Sequence, residues 1–126
     1  MLSPELTSRA TAVEDGAEIV QPPGLDAAVS GIDTHGHVFT RALPMVESRR
    51  YTPVFDAPID AYLAMLDGNN VSHGVLVQPS FLGTDNSYLL KALRRAPHRL
   101  RGIAVVAPDV GCGGLHALGR FGVVGV

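Results

Sequence analysis

From Gly31 onward the chain alternates between two kinds of apolar pattern. One is the short, nearly unbroken run: GVLVQP over 74–79, GIAVVAP over 102–108 and GVVGV over 122–126. Such runs lack polar alternation, the signature of parallel strands covered on both faces. Ile32 to Val38 reads as a further strand ahead of them. The other kind returns every three or four positions. Ile59, Tyr62, Leu63 and Leu66 fall at i, i+3, i+4 and i+7, one face of a helix. Asp56-Ala57-Pro58 opens that helix, with Asp56 as a capping candidate and proline in the first turn, where its missing N–H costs little. Gly68-Asn69-Asn70 stops it. Leu89, Leu90, Leu93 and Ala96 mark a second helix, with Asp85 or Asn86 as its cap and Pro97 at its end. A third, around Leu115 to Leu118, is weakened by Gly111, Gly113 and Gly114.

Four strands thus alternate with three helices, with a long polar, proline-containing loop over 40–56 after the first strand. This order predicts an α/β protein with a parallel sheet and right-handed crossovers. It fits an open doubly wound sheet or part of a (β/α)8 TIM barrel. A complete barrel takes about 250 residues, against 126 here, and no helix follows the last strand. The expectation is a truncated chain carrying about the first four strands. Residues 1–30 show no sustained period and are broken by Pro22-Pro23-Gly24, so they read as a flexible leader to a packed part over 31–126.

Composition narrows the function. Hydrophobic residues make up 46% and charged ones 17%, a globular balance. Ten basic against twelve acidic residues give a net charge of -2 without a basic tract, so nucleic-acid binding has no electrostatic support. A single cysteine, Cys112, excludes an internal disulfide and suits a reducing compartment. It sits among glycines with no histidine motif to activate it. No run nears the roughly 20 apolar residues of a membrane span, and the start lacks a secretion pattern. A cytoplasmic protein with no membrane partner is expected.

GIDTHGHVFT, residues 31–40, carries the candidate chemistry. On a strand His35 and His37 project to one face, about 6–7 Å apart, with Thr34 and Gly36 turned away. Gly36 leaves room behind them. At the C-terminal end of a parallel strand the pair faces the mouth where such folds place ligands. Two imidazoles there can converge on one metal ion or one carbonyl oxygen. Two ligands alone do not complete a catalytic metal site, which usually takes three protein ligands and an open position. An isolated H-x-H is common by chance; its place at a strand end in a repeating βα chain favours function. His73, His98 and His116 are expected at the surface, and Asp33 is expected to point away from the pair and bond locally.

The ordered segments IDTHGHVF, RRYTP, LVQPSFLGTDNSYLL and RLRGIAVV, spanning about 31 to 126, resemble the amidohydrolase superfamily. The likeness is to its amidohydrolase-related branch, which holds the 2-pyrone-4,6-dicarboxylate lactonases. The resemblance implies a metal-dependent-hydrolase-like (β/α)8 barrel that hydrolyses esters, lactones or amides. It makes His35 and His37 the paired catalytic histidines of the first strand. It also implies that the pair holds a divalent metal, zinc or manganese, in some branches. In the lactonase branch the pair can polarise the carbonyl without one. The family pattern continues past GVVGV into an arginine, another histidine and a final-strand aspartate that acts as general base. RALPMVES stands where the family carries a stretch richer in tyrosine and proline.

Other contacts follow from residue type. Tyr51 can donate a phenolic hydrogen bond to a substrate carboxylate or carbonyl; a lid anchor is the alternative. Gln78 and Ser80, at the end of the second strand, share a face by period two and suit hydrogen bonding to a polar ligand. No nucleophile elbow surrounds Ser80. Arg49 and Arg50 read as a solvated loop, and Thr84, Asp85 and Asn86 as capping residues. The expected activity is hydrolysis of a lactone or related carbonyl compound bearing carboxylates, on a small anionic substrate. The rival is a non-enzymatic remnant without the rest of the site.

Overall fold

The computed structural model describes Gly24 and residues 28–126. The leader expected over 1–30 lies mostly outside the described residues. Four strands and three helices alternate: β1 (Ile32–Gly36), α1 (Ile59–Gly68), β2 (His73–Val77), α2 (Ser87–Arg95), β3 (Leu100–Ile103), α3 (Cys112–Gly119) and β4 (Val123–Gly125). A single turn of 3-10 helix, Ser80–Leu82, follows β2. The sheet runs β1-β2-β3-β4 with every pairing parallel, as the alternating pattern required.

The core lies between one face of this sheet and the helices. Leu76 and Leu100 from the strands meet Tyr62 and Leu66 of α1 and Leu89, Ala92 and Leu93 of α2. The predicted face of α1 is the one that packs: Tyr62 and Leu66 are buried, Ile59 and Leu63 partly so. Residues of opposite parity, expected to be covered too, are more open. Val75, Val77 and Ile103 are half-buried, while Ile32 is 51% exposed and Val105 38%. In a closed barrel this second face turns inward, toward the strands across the lumen.

Several boundaries shift. β3 starts at Leu100, two residues before its expected glycine, because the Leu100 N–H returns to Ala96 O and leads the chain directly into the ladder. β2 likewise starts at His73, whose N–H donates to Gly31 O. His73, expected at the surface, is therefore a ladder residue and 2% exposed. His98 is exposed and His116 half-buried. Asp56 does not cap α1; Pro58 occupies that position, and the Asp56 carboxylate instead accepts the Arg41 N–H at 2.7 Å. That bond, then the Arg41 side chain, holds the Asp56 carboxyl below its ordinary range. α3 forms over Cys112–Gly119 despite its glycines, yet buries no residue.

The long loop after β1 is closed rather than loose. Phe39 and Ala57 exchange both backbone hydrogen bonds at 2.9 Å, pinning its two ends. A second cluster, Phe39, Phe81 and Leu82 with Leu43, Met45 and Ala57 against it, packs this loop on the one after β2. Among the described residues no helix is long and apolar enough to cross a membrane.

Candidate active site

β1 is irregular where the histidines stand. Asp33 pairs with Gly74 and Gly36 with Leu76, so three steps along β1 run beside two along β2. This extra residue is a bulge, and bulges re-aim side chains near sites. Asp33 does point away from the pair as expected, but not by alternation, which would put it on the side of His35 and His37. The bulge instead places Asp33 and Gly36 together on the helix-covered face. There the Tyr62 hydroxyl donates to Asp33 Oδ2 at 2.9 Å, while Asp33 Oδ1 accepts the His35 backbone N–H at 3.2 Å. Burial, then the Asp33 carboxylate, pushes the Tyr62 hydroxyl well above its ordinary pKa, so it stays a donor.

The Tyr62 ring lies flat on the β1–β2 pair. A Cβ on Gly36 would come 2.5 Å from its Cε2, and one on Gly74 would meet its hydroxyl. The two glycines therefore admit the ring, and the ring backs the strand that carries the histidines. In front, the rings of His35 and His37 stand edge to face, centroids 4.9 Å apart at 81°. His37 Nδ1 lies 2.8 Å from Val77 O. A carbonyl only accepts, so Nδ1 carries the hydrogen and Nε2 keeps its lone pair in the neutral ring. A backbone carbonyl on one imidazole nitrogen is the usual way a ligating histidine is oriented.

Does the pair make a metal centre? Its chemistry suits one, but among the described residues no three His, Cys, Asp or Glu side chains group to hold an ion. The donors present fall one short of a catalytic zinc site.

Tyr51 is 52% exposed, its ring 6.2 Å from Phe81, which stands edge-on to Phe39 at 5.1 Å. Phe39 follows His37 by two residues, so these rings connect Tyr51 to the histidine strand. Ser80 is exposed at the start of the 3-10 turn. Gln78 does not accompany it outward. Its side chain is buried, and Nε2 donates to Gly83 O at 3.1 Å and to Asp85 O at 2.8 Å. The 3-10 turn ends the period-two rule that put both on one face. Arg49 serves its own loop, donating to Thr52 Oγ1 and Val46 O at 2.8 Å each. Asp85 accepts from the Ser87 hydroxyl at 2.6 Å and its N–H at 3.1 Å, bonds that hold its carboxyl below the ordinary range at the start of α2. Cys112 is exposed at the start of α3.

Residues 32–126 match the family model described as Amidohydrolase. The chain belongs to the amidohydrolase family. It is 38% identical over 109 residues to a 4-sulfomuconolactone hydrolase of Hydrogenophaga intermedia, covering 85% of this chain and 34% of that protein. A 4-sulfomuconolactone hydrolase of Rhizobium radiobacter is 44% identical over 73 residues, 56% of this chain and 24% of that one. Among solved structures, the probable 2-pyrone-4,6-dicarboxylic acid hydrolase of Acinetobacter baumannii with citric acid bound superposes with a TM-score of 0.74. It shares 45% identity and covers 75% of this chain and 36% of its own. The chain spans about a quarter to a third of the length of these relatives. Its four parallel strands and helices correspond to part of their barrel.

Two features of this candidate site were not legible in sequence. The bond from His37 to Val77 O links residues 40 apart and depends on the register of β1 on β2. Phe81 as the platform under Tyr51 needed the loops to meet, and only its position two residues after Pro79 hinted at it. A cavity of about 310 Å³ at the opposite end of the sheet, lined by Ser30, Asp67, Ser72, His73 and Arg99 among others, holds none of the candidate residues.

Proposed function

We propose that this amidohydrolase works as a hydrolase of a lactone, or a related carbonyl compound, bearing carboxylates. The observation that carries the reading is the histidine pair: two imidazoles in contact at the end of β1, one with its tautomer set by Val77 O. Groups so held are aimed before the substrate arrives, and negative charge that develops on a carbonyl oxygen is stabilised most by donors that need not reorganise. In the protonated state either imidazole can donate to that oxygen. His37 does so through Nε2, since Nδ1 is engaged. Water then attacks the carbonyl carbon while a base takes its proton; the ring C–O bond breaks, and the departing ring oxygen takes up that proton as a hydroxyl. Asp33 is not that base in this reading, because Tyr62 and the bulge hold its carboxylate on the other face. Tyr51 and Ser80 orient the substrate from the adjoining loops, and Gln78 acts from inside its loop. Relatives named for lactones, and a neighbour solved with citric acid, support an anionic small-molecule substrate. A divalent metal on His35 and His37 would need further ligands from elsewhere. The site of action is the cytoplasm.

The test is turnover of 4-sulfomuconolactone and 2-pyrone-4,6-dicarboxylate. In an active protein containing these residues, His35→Ala should lower kcat/KM at least a hundredfold, about 2.7 kcal/mol of transition-state stabilisation. Near-normal rates would sink the assignment. For the 126 residues alone little or no turnover is expected, since they span about a third of their relatives. Substantial turnover by that chain would refute the rival reading of a non-enzymatic remnant.

A further inference from the structure

We infer that Gln78 and Asn86 are a pair of positioning residues that hold the loop over 79–86, and with it Ser80 and the Phe81 platform, in place beside the histidines. For its functional meaning this rests on the hydrolase reading above.

Gln78 sits at a junction. Its peptide unit joins two neighbours: Val77 O accepts from His37 Nδ1 at 2.8 Å, and the Gln78 N–H donates to Ile103 O at 2.9 Å. Its side chain then reaches along the loop that leaves β2. Both Nε2 donations go to backbone carbonyls, of Gly83 and Asp85, which can only accept. That fixes which way round the amide lies. Both donors are thereby used, and the residue is 3% exposed, so no donor remains for a substrate. Its Oε1 is buried with no hydrogen-bond partner among the described residues.

Asn86 does the same from the other end. Its Nδ2 donates to Thr84 O at 3.1 Å and Val105 O at 2.8 Å, and its Oδ1 accepts the Val105 N–H at 3.1 Å. It clasps both backbone groups of a β3-end residue, as a neighbouring strand would, rather than capping α2. Between the two amides the loop turns at Gly83, with φ 58° and ψ -138°, a conformation that L side chains rarely adopt. The loop carries the neighbouring one with it: the Val46 N–H donates to Phe81 O at 3.0 Å, and the Tyr51 ring leans toward the Phe81 ring, centroids 6.2 Å apart. Releasing the amides would free Ser80 and Tyr51 while the strands and His37 stayed in place.

Amide hydrogen exchange on the 126-residue chain tests this without turnover. In Gln78→Met the amides of Val46, Leu82 and Gly83, which are bonded within or onto the loop, should exchange at least tenfold faster. Those of Leu100 and Gly102, bonded to Ala96 O ahead of β3 and to Gly122 O ahead of β4, should stay within twofold. Uniform acceleration would mean a general loss of stability and overturn the role, as would unchanged loop amides. Asn86→Asp, which keeps the acceptor for Val105 but loses both donations, should show the same local pattern if Gln78→Met fails to fold; its absence there would count equally against the proposal. In any active preparation Gln78→Met should raise KM about tenfold with kcat within twofold, and an unchanged KM would contradict the inference. A protein that shows the exchange pattern but no lactone turnover would keep the loop clamp and remove the hydrolase reading.

Discussion

The β1–β2 half of the sheet and the β3–β4 half are built from the same grammar but hold together differently. Over β1 and β2, α1 delivers Tyr62 and the fully buried Leu66, two glycines admit the tyrosine ring, and the Tyr62 hydroxyl reaches Asp33. Over the far edge, β4 has three residues, α3 buries none, and Val124 is 64% exposed. The candidate chemistry stands on the first half. A pair of imidazoles needs a backing that does not shift, and the Tyr62–Asp33 bond from α1 and the Val77 carbonyl of β2 supply it. β3 shares in the core through Leu100 and α2, whereas the β4–α3 edge beyond it contributes strand ladder but little fixed packing. Within this chain, precision is concentrated where the histidines are.

Truncation at matched leucines breaks or confirms that contrast most directly. Leu66 is completely buried in α1, whereas Leu118 of α3 is only partly covered. Leu66→Ala removes packed methyl groups and leaves a cavity, which costs about 2–5 kcal/mol. Leu118→Ala should cost less than about 1 kcal/mol, because its side chain already meets water on one side. Urea unfolding of both variants measures the difference. Equal losses would mean that α3 is as firmly docked as α1.

Gly36→Ala probes the same half at the level of one methyl group. The added Cβ would lie 2.5 Å from Tyr62 Cε2 and 2.9 Å from its hydroxyl oxygen, so ring or strand must move. Overpacking of this kind costs about 1–3 kcal/mol. Because the ring supports β1 from behind, the His35 and His37 ring resonances should shift in NMR spectra, and the Tyr62–Asp33 bond should lengthen or break. Ring signals indistinguishable from the parent protein would show that Tyr62 does not back the pair.

Much of this architecture was readable in advance, and the reasons are local. The i, i+3, i+4 spacing of Ile59, Tyr62, Leu63 and Leu66 fixes the buried face of α1, and the apolar runs fix four parallel strands in order. Paired histidines at a strand end marked the candidate site. What escaped depended on residues meeting across the sheet. The bulge between Asp33 and Gly36 arises from register on β2, which no pattern within IDTHGHV encodes. Gln78 reads as a polar residue at a mouth; that its amide turns inward follows from a 3-10 turn and a left-handed Gly83 five residues later. His73 reads as a surface histidine because its strand starts one residue earlier than the apolar run suggests.

The smallest effect has the opposite sign. α3 opens with Cys-Gly-Gly, and glycine inside a helix is less favourable than alanine by about 1 kcal/mol because it has more backbone freedom to lose. A Cβ on Gly113 would meet no atom within 4 Å, whereas one on Gly114 would press on Val110. Gly113→Ala should therefore stabilise the chain, by about 0.5–1 kcal/mol, with no steric cost to offset the gain. The same change tried at Gly36 destabilises, so one substitution type separates the two halves by sign. If Gly113→Ala left the urea midpoint unmoved, α3 would be unfolding before the rest of the sheet. The looseness of the β4 edge would then be a matter of a helix that frays rather than one that is thinly packed.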